Sequence, residues 1–367
     1  LKWPKHGGQP QRIRQLFSLS EEQTLLDFSA NINPLGPPEA VRRLWPTLLE
    51  RTLTYPDMDY SDAVEAIARH SGVMPEQVLL TNGGAEAIFL AARLLTGGTA
   101  LVVHPTFAEY EQACAHYRVH VQLLIADPEQ PFPEEEVMQR MEAVDGMFLC
   151  RPNNPDGTLL PRDSIIRILQ SALRTNTLLI VDEAFIDFAL EPSASLAPLL
   201  HEYPNLILTR SLTKMYALPG LRIGYALAGT EHIQAMAAQR LPWSVNTPAA
   251  LLTPELLRDE AFAIRTRRWL REEIAWLKPR LQQMHFTMSA TCTNFYLLRD
   301  SVAPSVDKLY PFLLQGGILP RHTHTFPGLR GAALRLAVRS RNENERLLER
   351  LAAWQASGSD GAGVNNQ

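Results

Sequence analysis

The sequence predicts an α/β fold in which a large domain carries a mostly parallel seven-stranded sheet and a smaller α+β domain follows. Three observations predict it. Seven short apolar runs recur at 78–81, 100–104, 119–125, 147–150, 178–182, 206–209 and 223–227. Most are rich in Leu, Ile and Val with no polar alternation, as strands buried on both faces are. Longer amphipathic segments at 85–95, 134–143 and 162–174 lie between them, and strand–helix–strand order at that spacing makes parallel neighbours.

The elements divide the chain. Residues 1–44 read as an arm and a segment joining the small domain, 45–245 as the large domain and 246–355 as the small one. Past Pro248 the pattern lengthens. Residues 251–284 are helical in period and carry Arg265, Arg267, Arg268, Arg271, Glu272 and Glu273, which predicts one long helix with a solvated face. A strand at 295–298, a helix near 306–314, a strand at 333–338 and a helix over 342–354 complete the small domain. The tail, 356–367, is rich in Gly, Ser, Asn and Asp, a composition that predicts disorder.

Composition narrows the function classes. An apolar content of 46% excludes a disordered chain. A net charge of −4 with no run of five basic residues argues against a nucleic-acid role. No stretch of about 18 apolar residues predicts a membrane span. Leu1-Lys2-Trp3-Pro4-Lys5 opens no apolar signal segment, and Cys114, Cys150 and Cys292 form no CxxC pair. Reduced thiols in a cytoplasmic protein are expected.

Chemistry gathers where the strands end, since ligands of such sheets collect at the carboxyl ends. Thr81-Asn82-Gly83-Gly84-Ala85-Glu86 leaves a strand and opens a helix; glycines let backbone approach an anion, and free N–H groups point at it. The plain alternative is a tight turn. Arg151-Pro152-Asn153-Asn154-Pro155-Asp156-Gly157 is a stiff loop able to aim an amide, or an ordinary turn cluster. Asp182 ends the strand run of 178–182, where a carboxylate needs a positive or donating partner. Between Thr209 and Tyr225, Lys214 sits among apolar and turn residues near Arg222. An amine there can be depressed in pKa and act as a nucleophile, with Ser211 and Arg222 bracketing an anion site.

These four loops, in this order and spacing, resemble fold-type I pyridoxal-phosphate enzymes over essentially the whole chain apart from the tail. Ser211-x-x-Lys214 followed by Arg222 is similar to the lysine motif of the class II aminotransferases. The resemblance implies pyridoxal 5′-phosphate as cofactor, Lys214 as the amine that bonds its aldehyde, and Asp182 as the partner of its ring nitrogen. It implies Asn154 at the phenolic oxygen and Phe107 stacked on the ring. The cofactor phosphate falls to the Gly84 and Ala85 N–H groups, Ser211 and Arg222. Tyr55 matches a tyrosine that reaches this phosphate from a partner subunit, so a homodimer is expected. Relatives often carry Tyr where this chain has Phe185, which removes one hydrogen bond to the phenolic oxygen.

The finer resemblance, within the family that includes histidinol-phosphate aminotransferases, is to a branch that decarboxylates phosphorylated threonine for cobalamin biosynthesis. His6-Gly7-Gly8, 27–36, 182–188 and Pro242-Trp243-Ser244-Val245-Asn246 carry it. Such a substrate has two anionic groups. Arg321 and Arg335, one at each end of the small domain's sheet region, match the family's substrate arginines, and guanidinium suits carboxylate and phosphate alike. His6, the Gly7 N–H, Asn31 and Asn154 complete the implied pocket. An aminotransferase acting on a phosphorylated amine is the alternative. A cofactor-fold transcription regulator is disfavoured, since about 40 residues before the large domain are too few for a DNA-binding unit. His322-x-His324 has no third ligand spaced for zinc, so no metal is expected.

Overall fold

The computed structural model describes residues 3–191, 194–303 and 305–359. Thirteen strands are formed among them: β1 (Leu26–Asp27), β2 (Val78–Asn82), β3 (Thr99–His104), β4 (His120–Ile125), β5 (Gly146–Cys150), β6 (Leu178–Asp182), β7 (Leu206–Ser211), β8 (Ile223–Ala228), β9 (Phe286–Met288), β10 (Phe295–Asp300), β11 (Ile318–Leu319), β12 (Arg321–His322) and β13 (Leu334–Ala337). The main sheet has seven strands in the order β2-β8-β7-β6-β5-β3-β4. All run parallel except β8, which is antiparallel to both its neighbours. The expected fold is present, and the seven apolar runs are its strands.

Side-chain alternation explains the two-faced core. Leu101, Val103, Leu149, Val181 and Leu208 face one cluster, which packs helix Arg162–Thr175 through Ile165, Ile168, Leu169 and Ala172. Ala100, Val102, Phe148, Ile180 and Ile207 face the other, under helix Gly83–Arg93. Its Ala87, Ala91 and Ala92 are fully buried, and these small residues let the helix lie close to the sheet.

Parallel order puts the ends of β3, β5, β6 and β7 on one edge. Because β8 reverses, the end of β2 reaches the same edge: Asn82 pairs with Ile223, and Ser211 with Gly224. The Gly83-Gly84 turn therefore lies beside Ser211 and Arg222. The second sheet, β12-β13-β10-β9, is antiparallel. β1 pairs in parallel with β11, and the Phe28 carbonyl accepts from the Ala337 N–H at 2.8 Å. That tether carries the 27–33 segment from the N-terminal side to the edge of β13.

The structure corrects several expectations. Residues 251–284 form two helices, Thr247–Arg258 and Glu260–Gln283. Asp259 separates them, accepting from the Phe262 N–H at 2.9 Å as the N-cap of the second. The last helix runs Arg341–Ser359, so part of the stretch expected to be disordered is helical; residues 360–367 lie outside the described residues. The helix at 134–143 ends after Arg140 in a 3₁₀ turn, Met141–Ala143. Arg321 and Arg335 do not stand at opposite ends of the small sheet. They are cross-strand partners on β12 and β13.

Candidate active site

One cavity of about 700 Å³ opens between the strand-end loops of the main sheet and the small sheet. It is lined by His6, Gly7, Asn31, Gly84, Ala85, Phe107, Asn154, Asp182, Ser211, Lys214, Arg222, Arg321 and Arg335. Those thirteen are all but one of the residues proposed from sequence. The exception is Tyr55, which is 79% exposed and packs on Trp243 with ring centroids 4.7 Å apart.

The floor is Asp182. It is 5% exposed and accepts from the Tyr110 hydroxyl at 2.8 Å, the Ala184 N–H at 3.0 Å and the Thr209 hydroxyl at 3.3 Å. Burial still outweighs those bonds and raises its carboxyl pKa to about 6. An anion under that strain is matched by a cationic donor above it, which a protonated ring nitrogen supplies. Tyr110 was not assigned a role from sequence. It sits three residues after Phe107, and its stacking on Phe148 at 5.4 Å gave no local cue.

Beneath the floor, Glu183 is buried between two buried arginines, Arg210 at 2.7 Å and Arg151 at 3.6 Å. This triad binds the loop ends of β5, β6 and β7 to each other, so Asn154, Asp182 and Ser211 are set by one network.

At one end of the cavity is an anion cradle. Gly83 adopts φ +80°, and a Cβ there would stand 2.5 Å from the Arg222 guanidinium, so only glycine fits. Helix Gly83–Arg93 presents its first N–H groups here, with Ser211 Oγ 2.7 Å from Thr213 Oγ1. At the centre, withdrawal from water lowers the Lys214 amine to about 8, and Arg335 and Arg222 add to the effect. Phe185 packs edge-on against Phe295 at 4.8 Å.

At the other end, Arg321 and Arg335 lie side by side, 3% and 6% exposed. Among the described residues neither makes an ion pair. Arg335 donates to Asn154 Oδ1 and to the Ser29 carbonyl, each at 2.7 Å, and its Nε is buried without a partner. Since Arg335 engages the Asn154 oxygen, the Asn154 amide nitrogen is left as the donor. Arg321 donates to the His322 carbonyl at 2.9 Å and to Thr325 Oγ1 at 2.8 Å. Burial and mutual repulsion push Arg335 down to about 9 and burial pushes Arg321 to about 10. Two adjacent buried cations held only by neutral acceptors form a site for an anion. Asn31 Oδ1 is likewise buried and has no hydrogen-bond partner among the described residues.

Donor set, cradle and strained carboxylate together fit pyridoxal 5′-phosphate, with a second anionic group bound beyond it. His322 and His324 do not line the cavity, although His322 Nε2 lies 2.6 Å from Arg321 Nη1. The two imidazole rings lie 5.9 Å apart and pack on Trp3 at 4.3 and 4.9 Å, and among the described residues no metal-holding group of three or more side chains occurs. Nor is any described helix long and apolar enough to cross a membrane.

The model of the aminotransferase class I and II family matches residues 23–351. The chain is 39% identical to the threonine-phosphate decarboxylase of Salmonella typhimurium over 352 residues, covering 94% of this chain and 95% of that one. Among solved structures, the L-threonine-O-3-phosphate decarboxylase of Porphyromonas gingivalis aligns with a TM-score of 0.78 at 27% identity, covering 89% and 98%. The histidinol-phosphate aminotransferase of Clostridium acetobutylicum aligns with a TM-score of 0.87 at 29% identity, covering 91% and 100%.

Proposed function

The chain belongs to the aminotransferase class I and II family, and from that premise we propose that it is a pyridoxal-phosphate-dependent carboxy-lyase. It decarboxylates L-threonine O-3-phosphate to (R)-1-amino-2-propanol O-2-phosphate and CO₂ for cobalamin biosynthesis. The observation that carries this reading is the buried Arg321–Arg335 pair, which makes no ion pair among the described residues, in the cavity that holds Lys214. The 39% identity to a threonine-phosphate decarboxylase supports the same reaction, and Phe185 in place of tyrosine favours it over transamination.

The cofactor, when bound, supplies an aldehyde that accepts an amine and a ring that takes up the electron pair left at Cα. This chain's residues do the rest. Gly84 and Ala85 N–H groups, Ser211 and Arg222 hold the cofactor phosphate, and Phe107 covers a ring face. Asp182 keeps the ring nitrogen protonated, and Asn154 donates from its amide nitrogen. Arg335 and Arg321, with Asn31, His6 and the Gly7 N–H, grip the substrate's carboxylate and phosphate. That grip would fix the orientation of the substrate about Cα and so select the carboxylate as the group that leaves. Lys214 Nζ, in its protonated ammonium form, would be the acid that returns a proton to Cα.

We further read the chain as a cytoplasmic homodimer with a large domain at 45–245 and a small one at 246–355. Leu53, Tyr55, Met58, Leu241 and Trp243 are exposed large apolar side chains. Their exposure supports a partner surface from which Tyr55 reaches the other subunit's cofactor phosphate. The deciding assay incubates the loaded enzyme with threonine phosphate and no 2-oxoacid. Release of CO₂ supports decarboxylation; a keto product that forms only with an added acceptor supports a histidinol-phosphate-type aminotransferase instead.

A further inference from the structure

Three carboxylates line the cavity: Asp182, Asp27 and Glu109. Asp182 serves the cofactor. Asp27 is used locally, accepting from the Ser29 N–H at 2.7 Å and the Ser29 hydroxyl at 2.6 Å. Glu109 has no role in the reaction as described, yet it is an anion facing a cavity built for anionic substrate.

Its contacts say what it does. Glu109 opens helix Glu109–His116, where a carboxylate is favoured by the helix dipole. Gln112 Nε2 donates to Glu109 Oε1 at 2.8 Å, and the same oxygen lies 3.0 Å from His6 Nε2. The arm that carries His6 is otherwise fixed from the opposite wall. Pro4 and Lys5 carbonyls meet His322 and Arg321, and Gly8 N–H donates to Ser29 Oγ at 2.8 Å. A Cβ at Gly7 would stand 2.0 Å from the Ser29 carbonyl oxygen, so the arm lies flat on that segment. His6 reaches across the cavity to Glu109 on the main-sheet side, and Phe107 flanks its ring at 6.2 Å.

We propose that Glu109 is a positioning residue: by accepting from His6 Nε2–H it draws the ring, as an imidazolium, over the cavity and presents its Nδ1–H to the substrate's phosphate. The inference rests on the proposed decarboxylation of threonine phosphate. Without Glu109 the ring is free to rotate about its arm, and the phosphate loses an oriented donor. Glu109 itself does not touch the substrate, so its effect passes entirely through His6.

The test is a double-mutant cycle on Glu109→Ala, Glu109→Gln, His6→Asn and the His6→Asn/Glu109→Ala pair. It uses loaded enzyme, with CO₂ release and calorimetric binding of threonine phosphate as separate readouts and thermal unfolding as the check on folding. Glu109→Ala is expected to raise KM and Kd about tenfold while kcat falls less than about threefold. Glu109→Gln, which keeps an acceptor oxygen, recovers part of the loss. The double variant is no worse than His6→Asn alone. Additive losses, or an Ala variant with unaltered KM and Kd, overturn the role of Glu109. A wild-type enzyme that binds threonine phosphate but releases no CO₂ overturns the reaction instead, and the binding cycle still reads Glu109.

Discussion

Asp182 carries a charge that its surroundings only half support. Its pKa is lifted from 3.8 to about 6 by burial, against three hydrogen bonds that pull the other way. A carboxyl held above its unfolded value binds its proton more tightly in the folded chain, so stability declines as pH rises from about 4 to about 6. The loss is on the order of 3 kcal/mol in the cofactor-free protein. Asp182→Asn is therefore expected to raise the Tm of cofactor-free protein at pH 8 and to leave it nearly unchanged at pH 4. The same variant loses roughly 100-fold or more in kcat when loaded. A lower Tm at pH 8 would count against a strained carboxylate. At Lys214 the sign is opposite in charge: a buried amine lowered to about 8 gains its neutral form as pH rises. The rate at which the cofactor-free protein takes up pyridoxal phosphate should climb with a midpoint near pH 8, followed by absorbance. Lys214, Asp182 and Arg222 were legible because each stands in a motif at a strand end. Tyr110 and Glu109 were not, since their work depends on Asp182 and His6, distant in sequence and joined only by the fold.

Secondary-structure elements were legible where burial is two-sided. β5, β6 and β7 open on uninterrupted apolar runs, and the sheet places them as read. Breaks set by a single side chain were not. Asp259 interrupts an otherwise unbroken helical period by capping the second helix, and Asp259→Ala should cost about 1 kcal/mol in a chemical-denaturation measurement. Pairing was equally hidden: nothing in the spacing of Arg321 and Arg335 says that β12 lies beside β13, because the turn between them, not their sequence separation, sets the register. The strand ends are held together by Glu183 between Arg151 and Arg210. Glu183→Ala removes the carboxylate shared by buried Arg151 and Arg210, leaving Arg210 the longer ion pair to Asp187 at 3.5 Å, and should destabilise by about 3 kcal/mol, read as a shifted denaturation midpoint.

Across the whole molecule, the site is assembled from both sheets and from an arm that would otherwise count as a terminus. The family resemblance made the arm readable, whereas the composition of His6-Gly7-Gly8 did not. The exposed Tyr55–Trp243 pair extends the account to a second copy of the chain. Trp243→Asp should shift the protein toward monomer by sedimentation and, like Tyr55→Phe, weaken cofactor binding about tenfold; dimers that bind cofactor normally would refute that assembly. What everything else presupposes is a covalent hold on the cofactor by one amine. Borohydride reduction of the loaded protein followed by peptide mass spectrometry reads it directly. A single pyridoxyl-phosphate mass increment on Lys214 is expected, and a protein that gains none, or gains it at another lysine, has no such bond at Lys214.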